Sequence, residues 1–375
     1  MVLYDSGQVV VGSKRSGIES EFHESVDVEC CPRSRWGRLT FAVSRLVRLL
    51  GRGSLELVPF WNYLMKAGRQ KAFGRLLYAI PILLHRPEIV HVQWAKSLHR
   101  AMELRDLFSF AVVLSLRGTH ISSSPLGDVE LLAEYRQDFP KVHAFHAVCR
   151  AIKADAIALG ARSDRIRVIY SGVDCALVEA PLEPLREDLR PLRVLSVGRI
   201  HWRKGYHRAL DAVAQLAKSR PVEYRIIAGP PDDELLLQMN DLQVGGIVHF
   251  EPAVPRQEVL EQMRHHADLL LVPSMGEGIA NVAIEAMAVG LPVLVTRCGG
   301  MPELVQAGSG LLCDPWDTDS MAEALGLLAE MPLQERDELR KTGRRYIAEN
   351  RRLDDLVREM HLLYEEAIQN QCDDH

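Results

Sequence analysis

Apolar residues fall along this chain in two alternating patterns. Short solid runs such as Ala111 to Leu116 (AVVLSL), Leu192 to Val197, Leu269 to Val272 and Pro292 to Thr296 are flanked by Gly, Pro or polar turns. Runs of that length, rich in Val, Ile and Leu, predict parallel strands buried on both faces. Between them lie stretches with apolar residues three or four apart, which predict helices. Strands are expected at Val26 to Cys31, Ile89 to Gln93, Val142 to Val148, Ile166 to Tyr170, Tyr224 to Ala228 and Ile247 to Phe250. Helices are expected over Ala95 to Leu107 and Ala151 to Leu159, and from about Tyr206, Asp233 and Arg256. Another runs from Ile279 to Val289 and stops at Gly290, and a last one from Leu353 to Ala367 carries a single apolar stripe. Strands alternating with helices, without tight hairpin signals, predict an α/β protein with mostly parallel sheets.

The pattern breaks once and restarts. Pro181 to Pro191 holds three prolines and five charges, a linker by composition. The expected division is therefore 1–178 as a first doubly wound unit, 179–191 as linker, 192–350 as a second unit, and 351–375 as a terminal helix and tail. At 375 residues the chain can bury two cores. Its 47% hydrophobic content, net charge of −5 and seven cysteines without a C-x-x-C pair describe a globular protein with reduced thiols, expected in the cytoplasm. No signal-peptide core and no run of transmembrane length stand out. His91, His143 and His146 flank apolar strand residues and are read as satisfied core or rim histidines.

Candidate chemistry collects in the second half. Glu277 sits on the Gly-rich turn before the helix ending at Gly290, and Glu285 lies eight residues on, about 12 Å at ~1.5 Å per helical residue. A sugar joined through a diphosphate to a ribose carries polyols at both ends, separated by that order of length. One carboxylate can take sugar hydroxyls and the other ribose hydroxyls, with the helix's first N–H groups facing the phosphates. The plain alternative is a helix N-terminal charge and a solvated surface acid, but Glu285 stands between Ile284 and Ala286 on a helix with almost no polar face. Earlier, Gly198 and Arg199 end a strand, and Lys204 and Gly205 lead into a helix. Gly198 lets backbone approach a ligand, and the two cations suit a phosphate.

Glu277 and Glu285 within EGIANVAIEAMAVGLPV, followed by GGMPELV, resemble the paired-glutamate signature of the family 4 retaining glycosyltransferases. Gly198, Arg199, Lys204 and Gly205 resemble that family's diphosphate turn. IVHFEPAVP, with Val254, is similar to its loop near the nucleobase, and Gly278, Ile279 and Ala280 continue the donor turn. PEIVHVQWA, RIRVIYSGVD and GLLCDPWDTDSMAEAL are similar to further family segments. The resemblance implies the GT-B fold: two Rossmann-like domains facing a central cleft, with the terminal helix crossing back to the first. It implies a nucleotide diphosphate sugar as donor, a saccharide or polyprenyl-linked saccharide as acceptor, and no metal or other cofactor. The closest branch builds bacterial exopolysaccharide. Glu277, His120 and Lys204 are the candidate catalytic residues. Two departures stand out. Residues 1–25 supply neither the family's opening strand nor its Gly-rich loop, so an abridged or late start is expected. Arg117-Gly118-Thr119-His120 replaces the usual His-Gly-x-Asp, leaving open whether Arg117 or His120 takes the histidine's place.

Two rival functions remain: a nucleotide-sugar epimerase or hydrolase on the same fold, and a weakly catalytic binding subunit. From Arg33 to Arg75 the chain holds ten Lys or Arg against Glu56 alone. Arg38, Arg45, Arg48 and Arg52 fall on one helical arc, beside an apolar arc of Leu39, Ala42, Val43, Leu46, Leu49 and Leu50. That pattern suits peripheral contact with an anionic membrane at its inner face, or a packed helix with a solvated Arg face. No base-reading module is present, so nucleic acid is not an expected partner.

Overall fold

The computed structural model describes residues 2–5, 8–13, 26–30, 34–51, 57–65, 69–306 and 308–374. It divides into two compact units, one comprising 1–147, 153–168 and 359–375, the other 148–152 and 169–358. Each is built on a sheet with helical crossovers, the two Rossmann-like units of an α/β protein.

The sheet of the first unit contains β1 (Val2–Asp5), β2 (Gln8–Ser13), β3 (Val26–Cys30), β4 (Ile89–Val92), β5 (Ala111–Leu116), β6 (Ala144–Ala147) and β7 (Ile166–Val168). Their order is β3-β2-β1-β4-β5-β6-β7. All neighbours are parallel except β1, which runs antiparallel to both β2 and β4. β4, β5 and β6 are buried along their whole length, which explains their solid apolar runs.

The expectation that residues 1–25 lack an opening strand is corrected here. β1 and β2 both fall in that segment. β1 is four residues long and is stabilised by hydrogen-bonded neighbours on both sides, a gain that local composition does not reveal. The segments 6–7 and 14–25, where the Gly-rich loop is sought, lie outside the described residues.

The basic stretch forms three helices, Arg35–Gly51, Leu57–Met65 and Arg69–His85. On the first of these, Ala42 is buried, while Leu39 and Val43 are 45% and 53% exposed. Part of the arc predicted to be apolar is thus open to solvent. Arg38 is exposed and engaged in an interaction; Arg52 and the side chains of Arg45 and Arg48 lie outside the described residues. No described helix is long and apolar enough to cross a membrane.

The last helix, Leu353–Asp373, buries Leu363 and Ala367, while Leu353 and Val357 remain exposed. From Glu359 onward it belongs to the first unit. There Arg167 pairs with Glu359 at 2.6 Å and also with Glu366, and Arg165 pairs with Asp374 at 2.7 Å. Its Tyr364 hydroxyl lies 2.8 Å from Nδ1 of buried His91, whose Nε2 lies 2.8 Å from Ser115 Oγ. Ser115 Oγ in turn lies 3.0 Å from His146 Nδ1. His143 Nδ1 accepts the Val112 N–H at 2.8 Å. All three histidines are therefore core residues with partners.

The second sheet contains β8 (Leu192–Val197), β9 (Val222–Ile227), β10 (Val248–Glu251), β11 (Leu269–Val272), β12 (Val293–Thr296) and β13 (Leu311–Cys313), all parallel. The order is β10-β9-β8-β11-β12-β13. The chain winds one way from β8 and the other way from β11, so the switch point lies between these two neighbours. In such sheets the crevice outside the carboxyl ends at the switch point is the expected ligand site. The Pro-rich segment ahead of β8 is held down by arginines. Arg336 donates to the carbonyls of Arg186 and Glu187, Arg340 to Glu183, and Arg344 to Val178 and Ala180.

Burial first, then His146 and Arg117, hold His91 well below the ordinary histidine pKa. An unfolded histidine takes up a proton below about pH 6.5, whereas folded His91 does not. The stability it contributes is full above that pH and is lost as pH falls through it. The denaturation midpoint is expected to drop steeply between pH 6.5 and 5, and less steeply in His91→Gln. Identical slopes in both proteins contradict this assignment.

Candidate active site

Three loops meet at the carboxyl end of β8 and β11. The first follows β8. Gly198 has φ 155°, and its carbonyl accepts from the Tyr206 hydroxyl at 2.9 Å. A short turn of helix over Trp202–Lys204 follows, with His201 Nδ1 accepting the Arg203 N–H at 3.2 Å. Gly205 closes it at φ 70°, and the helix Tyr206–Ala217 begins. A Cβ on Gly205 would lie 1.8 Å from the Pro273 carbonyl oxygen, so only glycine fits.

The second loop follows β11. Its Met275 N–H donates to the Arg203 carbonyl at 2.7 Å, joining it to the first. Glu277 pairs with Lys204 and also accepts from Ser274 Oγ at 3.3 Å. Both side chains of the pair are partly buried, at 27% exposure for Lys204 and 21% for Glu277. The third loop follows β12. A Cβ on Gly299 (φ 50°) would lie 1.7 Å from the Glu277 carbonyl oxygen, and the Gly300 N–H donates to the Gly278 carbonyl at 2.7 Å.

These contacts hold 274–280 in an irregular path, and the helix begins only at Asn281. The expected helix start at Ile279 is therefore corrected by two residues. Glu277 lies outside the helix, so eight residues of helical rise do not measure its separation from Glu285. Ala280 occupies the N-cap position with an extended backbone and no side-chain cap. The Ala280 N–H donates to Met301 Sδ at 3.3 Å and the Ala283 N–H to the Ala280 carbonyl at 3.0 Å, so the N–H groups of Asn281 and Val282 are those without a capping side chain, and the helix dipole favours an anion there. Gly278 and Ala280 are buried, while Ile279 and Val254 are half-buried against the core under β11 and β12.

Glu285 lies in the second turn of Asn281–Val289. Its side chain is 18% exposed and accepts from Arg256 Nε at 2.5 Å, with Arg256 itself 58% exposed. It is neither a freely solvated acid nor an unpaired one. Arg199 is exposed on the first turn. Sequence reasoning missed Arg256 as a neighbour of Glu285, since the two are 29 residues apart on separate helices. It also assigned no role to Glu303 of GGMPELV. That carboxylate accepts the Arg150 and Ala151 N–H groups, each at 3.0 Å, and the Tyr170 hydroxyl at 2.9 Å.

His120 belongs to the first unit, in the turn after β5. Its Nε2 lies 3.3 Å from the Arg117 N–H, and Nδ1 is buried without a partner. Burial first, then Lys96 and Arg117, push its pKa down to about 4 against the Ser115 carbonyl, which raises it. His120 is neutral at pH 7, a hydrogen-bonding group and a weak base. Arg117 is exposed on the same turn, and the Trp94 ring lies 5.0 Å from that of His120.

Residues 181–346 match the group 1 glycosyl transferases, and residues 8–177 match glycosyltransferase family 4. The chain is built of two glycosyltransferase domains. Among curated proteins it is 33% identical over 186 residues to the putative colanic acid biosynthesis glycosyltransferase WcaL of Escherichia coli K12, covering 47% of this chain and 45% of that protein. It is 29% identical over 255 residues to the amylovoran biosynthesis glycosyltransferase AmsK of Erwinia amylovora, covering 64% of this chain and 61% of that protein. The matched segments thus span between about half and three fifths of these relatives' lengths. Among solved structures, Anabaena Alr3699/HepE in complex with UDP and glucose superposes with a TM-score of 0.69 at 19% identity, over 94% of this chain and 90% of that one. At that identity the likeness is one of fold, and the fold is GT-B. Gly198, Arg199, Lys204, Gly205, Val254, Glu277 and Glu285 fall within the group 1 domain, and His120 within the family 4 domain.

The packing of Gly205 and the pairing of Lys204 make separate predictions. Gly205→Ala must move the Pro273 carbonyl, so it should lower both the melting temperature and the affinity for nucleoside diphosphates. Lys204→Ala should leave the melting temperature within a degree or two. Losing a charge-assisted hydrogen bond costs about 1.5–3 kcal/mol, so diphosphate affinity should fall roughly ten- to hundredfold. Nucleoside affinity should hold. Calorimetry checks this, and unchanged diphosphate affinity in Lys204→Ala sinks the assignment.

Proposed function

We propose that the protein is a retaining glycosyltransferase of polysaccharide biosynthesis. It moves a sugar from a nucleotide diphosphate sugar to a hydroxyl of a saccharide or polyprenyl-linked saccharide. The observation that carries this reading is the placement of Lys204 and Glu277 together at the switch point, ahead of a helix start without a side-chain cap. A cation, an acid and open N–H groups in one place suit a diphosphate flanked by polyols.

In this reading Arg199, Lys204 and the start of Asn281–Val289 neutralise the leaving diphosphate, so the chemistry runs without a metal or other cofactor. Glu285, already oriented by Arg256, takes the ribose hydroxyls. Glu277 takes hydroxyls of the transferred sugar once the diphosphate draws Lys204 away from it. Val254, Gly278, Ile279 and Ala280 shape the surrounding wall. His120 offers a neutral imidazole to a sugar hydroxyl. No covalent nucleophile is assigned, so retention proceeds by front-side attack, with the leaving phosphate helping to take the acceptor's proton. The reaction belongs on the cytoplasmic side, with the basic helix Arg35–Gly51 meeting anionic lipid through Arg38, Arg45 and Arg48, and Arg52 just beyond it.

The test is nucleotide release from a panel of nucleotide-sugars with and without saccharide acceptors. Release that depends on acceptor supports transfer. Release or epimerisation without acceptor favours a hydrolase or epimerase, and binding without turnover favours a partner subunit.

Two variants separate the acids. Glu277→Gln frees Lys204, so affinity for free nucleoside diphosphate should stay level or rise while turnover falls at least tenfold. Glu285→Ala should weaken binding of both nucleosides and nucleoside diphosphates. Equal loss of nucleotide affinity in the two variants contradicts this division. For the membrane, flotation with anionic vesicles at low salt should carry the wild type, and high salt or Arg38/Arg45/Arg48/Arg52→Glu should release it. Wild type that stays with the soluble fraction at low salt removes the lipid contact.

A further inference from the structure

We propose that a small cavity at the amino edge of the second sheet, lined by Arg186, Arg193, Arg264, Arg336 and Arg340, binds phosphate or a small phosphorylated molecule. The cavity lies wholly within the second unit and apart from the candidate donor site. It does not depend on the transfer reading above.

The cavity has a volume of about 210 Å³. Pockets for drug-sized ligands begin at roughly 300 Å³, so this one suits a smaller guest. Arg193 stands near the start of β8, Asp268 directly precedes β11 and Pro292 directly precedes β12, and all three line the cavity. The candidate donor loops leave the opposite ends of the same three strands. The helix Asn281–Val289 spans the two edges, opening beside the donor loops and ending at Val289 and Gly290, which line the cavity. Nine helical residues rise about 14 Å, so a guest this small cannot fill both sites.

Charge names the class of guest. Five arginines line the cavity against two acids, exposed Glu183 and Asp268. Asp268 already holds two of the five, Arg186 at 2.7 Å and Arg193 at 2.9 Å. Arg340 pairs with Asp337 at 2.8 Å, an acid that Lys341 shares. Arg264 reaches Glu261 at 3.4 Å, where His265 also bonds. Arg336 is 4% exposed and donates to the carbonyls of Met331, Arg186 and Glu187, with no carboxylate in ion-pair contact among the described residues. Its hydrogen bonds are filled but its charge is not met. Burial lowers its pKa, Asp268 raises it and Arg186 lowers it again. Neighbouring Arg344 is lowered by burial and then by Arg264 and Arg340. Buried guanidiniums held by carbonyls alone lack a counter-charge. Clamping the Pro-rich segment accounts for the carbonyl contacts of Arg336 and Arg340, but it needs neither Arg264 nor an open cavity beside it. The lining carries three cations in excess, more than one carboxylate would offset. A phosphoryl group brings higher charge and several oxygens that guanidiniums bind in pairs. Inorganic phosphate and a sugar phosphate share this chemistry.

Calorimetry on the full-length protein tests it with inorganic phosphate, glucose 1-phosphate and glucose, in a Lys204→Ala background that weakens the candidate donor site. At least one phosphorylated probe should bind tenfold or more tighter than glucose. The tighter of the two shows whether the guest is the free anion or a phosphorylated sugar. Adding Arg264→Gln should weaken that probe at least tenfold, and Arg264→Lys should keep most of the affinity. Arg186→Gln, from a different element, should give the same loss independently. On its own, Arg264→Gln should leave nucleoside diphosphate affinity unchanged. Thermal melting confirms that each variant is folded. Hydrogen exchange should slow at residues 183–187 when the probe binds, because Arg336 and Arg340 hold carbonyls there. No binding in Lys204→Ala overturns the proposal, as does glucose binding as tightly as the phosphorylated probes. Full affinity in folded Arg264→Gln and Arg186→Gln overturns it too. So does slowed exchange confined to the donor loops, which would place the probe there.

Discussion

The candidate donor site depends on two places where backbone touches backbone. Gly205 lies against the Pro273 carbonyl and Gly299 against the Glu277 carbonyl, each so close that a single methyl group would overlap the oxygen. These contacts lock the loops after β8, β11 and β12 to one another. They also keep 274–280 from joining the helix that follows, because the carbonyls of Glu277 and Gly278 face the glycine turn instead of a helical ladder. Lys204 is thereby carried to Glu277 across 73 residues of sequence.

The charges placed by that packing are paired within the protein. Lys204 is neutralised by Glu277, and Glu285 by Arg256. Unpaired, a partly buried acid or cation would carry a desolvation cost, which the pairing offsets. A diphosphate offers Lys204 more negative charge than one carboxylate, and the helix start at Asn281 adds its dipole. In the proposed reaction, phosphate replaces Glu277 on Lys204, and Glu277 is released to a sugar. His120 follows a different logic, since burial and nearby cations keep it uncharged.

Much of this fold is legible in the amino-acid order. β11 and β12 declare themselves as solid apolar runs because both faces of a parallel sheet are covered. Gly290 declares a helix end because its φ of 80° suits glycine. β1 and β2 are not legible, since a four-residue strand paired on both sides owes its existence to residues 89–92 far along the chain. β13 is hidden in the same way, three residues long and extending the sheet from β12. In the candidate site, the residue types and their order are visible, but their pairing is not. Lys204 meets Glu277 only because β8 and β11 are neighbours, and Arg256 meets Glu285 only because their helices pack side by side.

The central claim is that Lys204, poised on Glu277, is the cation that receives a diphosphate at the switch point of the second sheet. A crystal structure of the protein with a bound nucleoside diphosphate addresses it most directly. The account predicts the terminal phosphate within hydrogen-bond distance of Lys204 Nζ and of the N–H groups opening Asn281–Val289. The ribose hydroxyls should lie on Glu285, and Glu277 should be free of Lys204. A diphosphate bound away from Lys204, with the Lys204–Glu277 pair intact, would contradict it.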